Sequence, residues 1–234
     1  MTQSITPTET LKSLAQKIDH TLLKPTMSQK DLEQLCSEAA QHHFKTVCIP
    51  PTFVTQAVRL LQGTSVEVIT VVGFPLGYSS TASKALEATQ AIAEGSTEID
   101  MVLNIAFLKD GRLAEVEADI RALVQACGTI PLKVIIEASY LTHDEKVQAA
   151  LLSEKAGAAF VKTSTGFANA NPNGATLADI ELLRQTLKPT TKIKASGGIR
   201  DLASAMQMIQ AGADRLGTSA GVAILAGKKN EGAY

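Results

Sequence analysis

The chain has 234 residues, 45% hydrophobic and 19% charged, with a formal net charge of -1, 4% aromatics and no tryptophan. That size suits one domain with a sizeable core filled by Val, Ile, Leu and Ala, the branched residues that parallel barrels favour. Near-neutral charge excludes a global field drawing nucleic acid or an anionic membrane, so any anion site has to be local.

In chain order, residues 7–17 predict a short leading helix and residues 18–23 a first strand. Ser28, with Asp31 three residues on, is the expected N-cap of a helix running to about residue 43. A second strand over 46–49 stops at Pro50-Pro51, and a helix over 53–61 ends at Gly63. The third strand, 66–72, is rich in β-branched residues. A helix over 81–93, a fourth strand over 98–104, an amphipathic helix over 112–126 and a fifth strand over 132–137 follow. Thr142-His143-Asp144-Glu145 opens a helix reaching Ala156-Gly157. The sixth strand holds Lys162, the seventh holds Lys194 and the eighth spans 215–219, with helices over 177–187, 202–210 and 221–226 after them.

Eight such units predict an α/β fold: a single (β/α)8 TIM barrel over residues 1–234 with a short extra N-terminal helix. The alternative, a doubly wound open sheet, announces itself with a Gly-rich turn after the first strand, and Leu23-Lys24-Pro25-Thr26 is not one. Residues 227–234 read as a mobile tail. Cys36, Cys48 and Cys127 fit no metal-ligand spacing and read as free thiols. Residues 1–12 carry no apolar signal segment and no apolar run reaches membrane-spanning length, so a soluble, cytoplasmic protein is expected.

Active sites in such barrels are built at the C-terminal ends of the strands, where Asp19, Asp100, Glu137, Lys162 and Lys194 fall. A neutral lysine amine attacks a carbonyl to form an iminium, an electron sink for C–C chemistry. Free lysine titrates near 10.4, so neutrality at pH 7 requires a depression of roughly three units, about 4 kcal/mol. Burial and a neighbouring ammonium both act in that direction, and Lys194 is that neighbour if strands six and seven pair. Asp100 either keeps Lys194 protonated and shuttles protons or caps the following turn. A strand lysine in isolation is most simply a snorkelling rim side chain, and Lys133 and Lys192, at strand beginnings, are assigned that bland role. Glu137 as a polar strand end and Cys48 as a buried hydrophobe are similarly plain readings. His42 and His43 close a helix, and the four histidines show no metal spacing.

Ser196-Gly197-Gly198-Ile199-Arg200 and Gly217-Thr218-Ser219-Ala220-Gly221 follow strands seven and eight, where barrels hold phosphate on backbone N–H groups. A phosphorylated ligand is therefore expected.

The stretches around Asp19, Asp100, Lys162, Lys194 and Gly217 together resemble the 2-deoxyribose-5-phosphate aldolase family. They are Ile18-Asp19-His20-Thr21-Leu22-Leu23-Lys24-Pro25, Glu98-Ile99-Asp100-Met101-Val102, Phe160-Val161-Lys162-Thr163-Ser164-Thr165-Gly166-Phe167, Ile193-Lys194-Ala195-Ser196-Gly197-Gly198-Ile199-Arg200 and Arg215-Leu216-Gly217-Thr218-Ser219. The resemblance runs from about residue 18 to 225. It implies a class I aldolase of deoxyribose phosphate catabolism, interconverting 2-deoxy-D-ribose 5-phosphate with D-glyceraldehyde 3-phosphate and acetaldehyde, with no metal or other cofactor. It implies Lys162 as the Schiff-base lysine and Lys194 and Asp100 as its proton-handling partners. Gly166, Gly197, Gly198, Gly217 and Ser219 would hold the phosphate, with Asp19 and Thr165 in the same substrate-binding set. Two departures stand out: Ala220 replaces a second serine found in many relatives, and Tyr234, the family's C-terminal tyrosine, sits on a short tail. The rival readings are a barrel isomerase or synthase using acid–base chemistry only, and a sugar-phosphate sensor. The expected partners are sugar phosphate and aldehydes, with no nucleic acid or membrane, and the expected assembly is a homodimer.

Overall fold

The structure is a computed structural model that describes residues 7–229; Tyr234 and the part of the expected tail after Lys229 lie outside these. Eight strands close a barrel: β1 (Ile18–Thr21), β2 (Thr46–Ile49), β3 (Glu67–Val72), β4 (Glu98–Val102), β5 (Leu132–Ile135), β6 (Phe160–Lys162), β7 (Lys192–Ser196) and β8 (Arg215–Thr218). Each pairs in parallel with the next, and β8 returns to β1 through Asp19 opposite Gly217. The helices between and around them are α1 (Pro7–Ala15), α2 (Gln29–His42), α3 (Val54–Leu60), α4 (Thr81–Ala93), α5 (Ile105–Lys109), α6 (Leu113–Cys127), α7 (His143–Ala156), α8 (Leu177–Thr186), α9 (Leu202–Gln210) and α10 (Gly221–Leu225). The expected (β/α)8 barrel with its leading helix is the architecture observed.

Period-two alternation explains what the barrel holds inside. Val47, Ile49, Ile99, Met101, Val134, Val161, Ile193 and Leu216 join the helices in one apolar core. Their strand neighbours form a small separate apolar cluster (Leu23, Cys48, Ile69 and Val71) and a set of buried charges. Both faces are thus covered, as a parallel sheet requires. The two capping boxes visible in the sequence are present, Ser28 with Asp31 and Thr142 with Glu145, and His43 ends α2 in the left-handed region at φ 54°.

Strand ends fall short of expectation where side chains turn to other work. β4 stops at Val102 because Asn104 becomes the N-cap of α5, its Oδ1 accepting from Phe107 N at 3.2 Å. β5 stops at Ile135 because Glu137 takes a left-handed φ of 50° and leads into a 3-10 turn over Ala138–Tyr140. Another such turn, Pro51–Phe53, precedes α3.

One buried ion pair ties α4 and α6 to the end of β4. Lys84, with no exposed surface, donates to Asp119 Oδ2 at 2.8 Å and to the Val102 carbonyl at 3.0 Å. Gly73 has to be side-chain-free here, since a Cβ would sit 2.9 Å from Lys84 Cε and φ is +59°. Lys84→Met leaves the buried Asp119 without its counter-ion, though still accepting from Thr81 Oγ1 at 2.7 Å, and is expected to cost about 3–5 kcal/mol in urea unfolding. Lys84→Met with Asp119→Leu should recover most of it. A loss below about 1 kcal/mol in the single variant would refute the pairing's structural role.

Candidate active site

Lys162 closes β6 directly opposite Lys194 of β7 in the sheet register, the adjacency on which the two-lysine reading depends. Two strands back, Asp100 of β4 reaches inward and is fully buried. Asp100 Oδ2 accepts from Lys162 Nζ at 2.8 Å and from Lys194 Nζ at 2.7 Å, while its Oδ1 accepts from Lys133 Nζ at 2.9 Å. One carboxylate therefore serves three amines. Lys194 is also in ion-pair contact with Asp19 Oδ2 at 2.6 Å. Asp19 Oδ1 accepts from Thr46 Oγ1 at 2.8 Å and from Arg215. Arg215 pairs in turn with Glu98 at 3.2 Å, and Glu98 with Lys133 at 2.6 Å.

The electrostatics follow from this crowding. Burial pushes the Asp100 carboxyl up, but the side chains of Lys133, Lys162 and Lys194 outweigh it and hold Asp100 well below the usual carboxylate range. Asp19 is depressed for the same reason, burial being overcome by Lys194, Arg215 and Lys133. Burial works against the Lys194 ammonium, yet Asp100 and Asp19 raise its pKa far above that of free lysine. The two carboxylates thus favour the ammonium form of Lys194 beside Lys162.

Above this network lies a cavity of about 130 Å³. Lys162, only 3% exposed, lines it together with Thr165, Gly166, Gly197, Gly198, Gly217 and Ser219. The expected loop residues are thus brought around one lysine. The glycines work by close approach: a Cβ at Gly197 would press 2.8 Å from Gly174 Cα. This backbone contact joins the loops after β6 and β7, and Ala175 N donates to the Ser196 carbonyl at 2.9 Å beside it. A Cβ at Gly217 would collide with Ser196 Oγ and approach Lys194 Cε at 3.1 Å, so that glycine makes room for the catalytic-side lysine as well as for a ligand.

Three sequence readings need correction. Lys133 is not a snorkelling rim residue; it is fully buried and paired with Glu98 and Asp100, whereas Lys192 is exposed as expected. Asp19 is absent from the cavity lining and binds Lys194, Thr46 and Arg215 instead. Glu137 is more than a polar strand end. Buried beside the site, it accepts from Thr165 N at 3.2 Å and from Thr165 Oγ1, and so fixes the loop carrying Gly166; burial pushes its carboxyl pKa up.

Arg200, exposed at the cavity lining, and Asn173, whose Nδ2 donates to the Gly166 carbonyl at 3.1 Å, were not singled out from the sequence. Arg200 stands in the glycine-rich stretch after β7, so a guanidinium beside an expected anion loop was the available signal. Cys48 is fully buried in the apolar cluster, where burial raises its thiol pKa. Among the described residues, no group of three or more His, Cys, Asp or Glu could hold a metal ion, and no helix is long and apolar enough to cross a membrane. Chemically, the floor of the cavity presents an amine to a carbonyl, with a carboxylate and a second ammonium in hydrogen-bond reach to move protons.

A family model described as DeoC/LacD family aldolase matches residues 13–227. A deoxyribose-phosphate aldolase of Brevibacillus brevis is 53% identical over 215 residues, covering 92% of this chain and 96% of that protein. One of Streptococcus pneumoniae is 53% identical over 217 residues, covering 93% and 97%. The solved structure of a tetrameric deoxyribose phosphate aldolase from Aeropyrum pernix matches with a TM-score of 0.85 at 31% identity, over 92% of this chain and 91% of that one. Matched along nearly its whole barrel, the chain belongs to the DeoC/LacD family of aldolases.

Proposed function

We propose that this chain reversibly cleaves 2-deoxy-D-ribose 5-phosphate to D-glyceraldehyde 3-phosphate and acetaldehyde, with Lys162 as the Schiff-base nucleophile. The observation that carries this reading is the sharing of Asp100 Oδ2 between Lys162 and Lys194 at the floor of a glycine-walled cavity. Neutral Lys162 attacks C1 of the open-chain sugar and loses water to give an iminium. Deprotonation of the C3 hydroxyl then breaks C2–C3, and the bonding electrons pass into the iminium to leave an enamine on Lys162. Asp100 and Lys194 move the protons, directly or through water. Protonation at C2 and hydrolysis release acetaldehyde and return the amine.

The phosphate lies at the loops of Gly166, Gly197, Gly198 and Gly217, with the Ser219 hydroxyl and the Arg200 guanidinium as further donors in this proposal. Thr165, held by Glu137, belongs to the same wall. Asp19 acts indirectly, as the counter-charge that keeps Lys194 cationic. For the assembly we propose a two-fold dimer in the cytoplasm, the commonest arrangement of soluble chains; the Aeropyrum pernix relative is a tetramer.

Borohydride reduction with acetaldehyde tests the reading. The expected product is a single ethylated chain whose modified peptide contains Lys162. An adduct on another lysine, or none under conditions of turnover, would reject Lys162 as the nucleophile.

A further inference from the structure

The buried charges form one connected network with an uneven count. Its carboxylates are Asp19, Glu98 and Asp100, and its cations are Lys133, Lys162, Lys194 and Arg215. It spans the barrel, because Lys162 lines the cavity at the C-terminal ends of the strands while Glu98 and Arg215 line a second cavity at the opposite end. The cations are not equivalent. Lys133 touches Glu98 and Asp100, Lys194 touches Asp19 and Asp100, and Arg215 touches Asp19 and Glu98. Among the described residues Lys162 touches Asp100 alone, through an oxygen it shares with Lys194.

We propose that Lys133 and Glu98, which do not line the substrate cavity, are positioning residues that set the protonation of Lys162: three carboxylates neutralise three cations, and the surplus proton is the one on the lysine at the open end. This inference rests on the reading of Lys162 as an amine nucleophile. A neutral amine there closes the charge balance of this buried network without any outside counter-ion.

The other groups facing Lys162 lie outside these contacts. β2 contributes the Cys48 thiol, which burial keeps neutral, and β3 contributes the apolar Ile69 and Val71. The Glu137 carboxyl after β5 stands outside the network's contacts and accepts from Thr165, and burial pushes its pKa up. Asp19 of β1, Asp100 and Glu98 of β4, Lys133 of β5, Lys194 of β7 and Arg215 of β8 are the network itself.

The sign of the effect separates this role from a merely structural one. Lys133→Met removes a cation, makes the interior more negative and favours the Lys162 ammonium. Glu98→Gln removes a carboxylate and does the reverse. The readouts are the acid-side midpoint of kcat/KM for cleavage of 2-deoxyribose 5-phosphate, and the pH dependence of the rate at which acetaldehyde and cyanoborohydride label Lys162.

Lys133→Met should move both midpoints up by about one pH unit, with roughly tenfold lower kcat/KM on the acid limb. Glu98→Gln, one layer further away, should move them down by about half a unit. The double variant loses one charge of each sign and should return to within about 0.3 units of the parent. It also keeps the interior balanced, so it and Glu98→Gln decide the matter even if Lys133→Met fails to fold. Midpoints that stay fixed, or that move in one direction for both single variants, would overturn the proposal. Failure of the parent protein to label at Lys162 would instead overturn the Schiff-base reading.

Discussion

Lys162→Leu is expected to lose at least about 10⁵-fold in turnover and all borohydride labelling, while folding as stably as the parent or up to about 2 kcal/mol more so. The first half follows from covalent chemistry: among the described residues no other amine lines the floor of the cavity, so no iminium forms and no electron sink exists for C2–C3 cleavage. The second half follows from the count of charges. Asp100 retains Lys133 at 2.9 Å and Lys194 at 2.7 Å after the change. Leucine fills much of the lysine stem's volume and removes the surplus group from the network. Deleting a buried ion usually costs several kcal/mol because its partner is left unpaired; here no partner is. Urea unfolding of the two proteins at pH 7 measures the difference. A loss above about 2 kcal/mol would mean that Asp100 needs the Lys162 ammonium as a counter-ion. The resting amine would then be charged, contrary to the mechanism.

Much of this architecture is legible in the sequence because its signals are local. β-branched runs, glycines at helix ends and the Ser28–Asp31 and Thr142–Glu145 caps mark the units. Lys162 and Lys194 stand out because a charge in an apolar strand followed by small residues demands a partner or a function. What the sequence hides is pairing across the barrel. Lys133 looks like a rim residue from its position at a strand start, yet the β4–β5 register sets it beside Asp100, 33 residues away. Arg215 meets Asp19 across 196 residues because the barrel closes β8 on β1. α5 spans five residues, too few for a helical period to show, and a left-handed Glu137 has no glycine to announce it. The charges were readable one by one; their balance is a property of the closed sheet.

Asp100→Asn is expected to separate the two halves of the chemistry. The substitution keeps the shape but removes the negative charge that three amines share. Asp19 and Glu98 then face Lys133, Lys162, Lys194 and Arg215, so the interior becomes more positive and the neutral form of Lys162 is favoured. Iminium formation should therefore persist, with labelling by acetaldehyde and cyanoborohydride extending to lower pH than in the parent. Turnover should nonetheless fall by about 10³-fold, because the group that in the proposed mechanism passes protons between Lys162, Lys194 and the reacting carbon is gone. Exchange of acetaldehyde methyl hydrogens with deuterated water, which reports enamine formation, should fall with turnover and not with labelling. Stability should drop by about 3–5 kcal/mol, since uncompensated cations remain buried. Where that prevents folding, adding Lys133→Met restores one unit of balance without supplying a carboxylate at position 100. Turnover within about tenfold of the parent in either background would remove Asp100 from the proton path and leave a water held by Lys194 as the carrier.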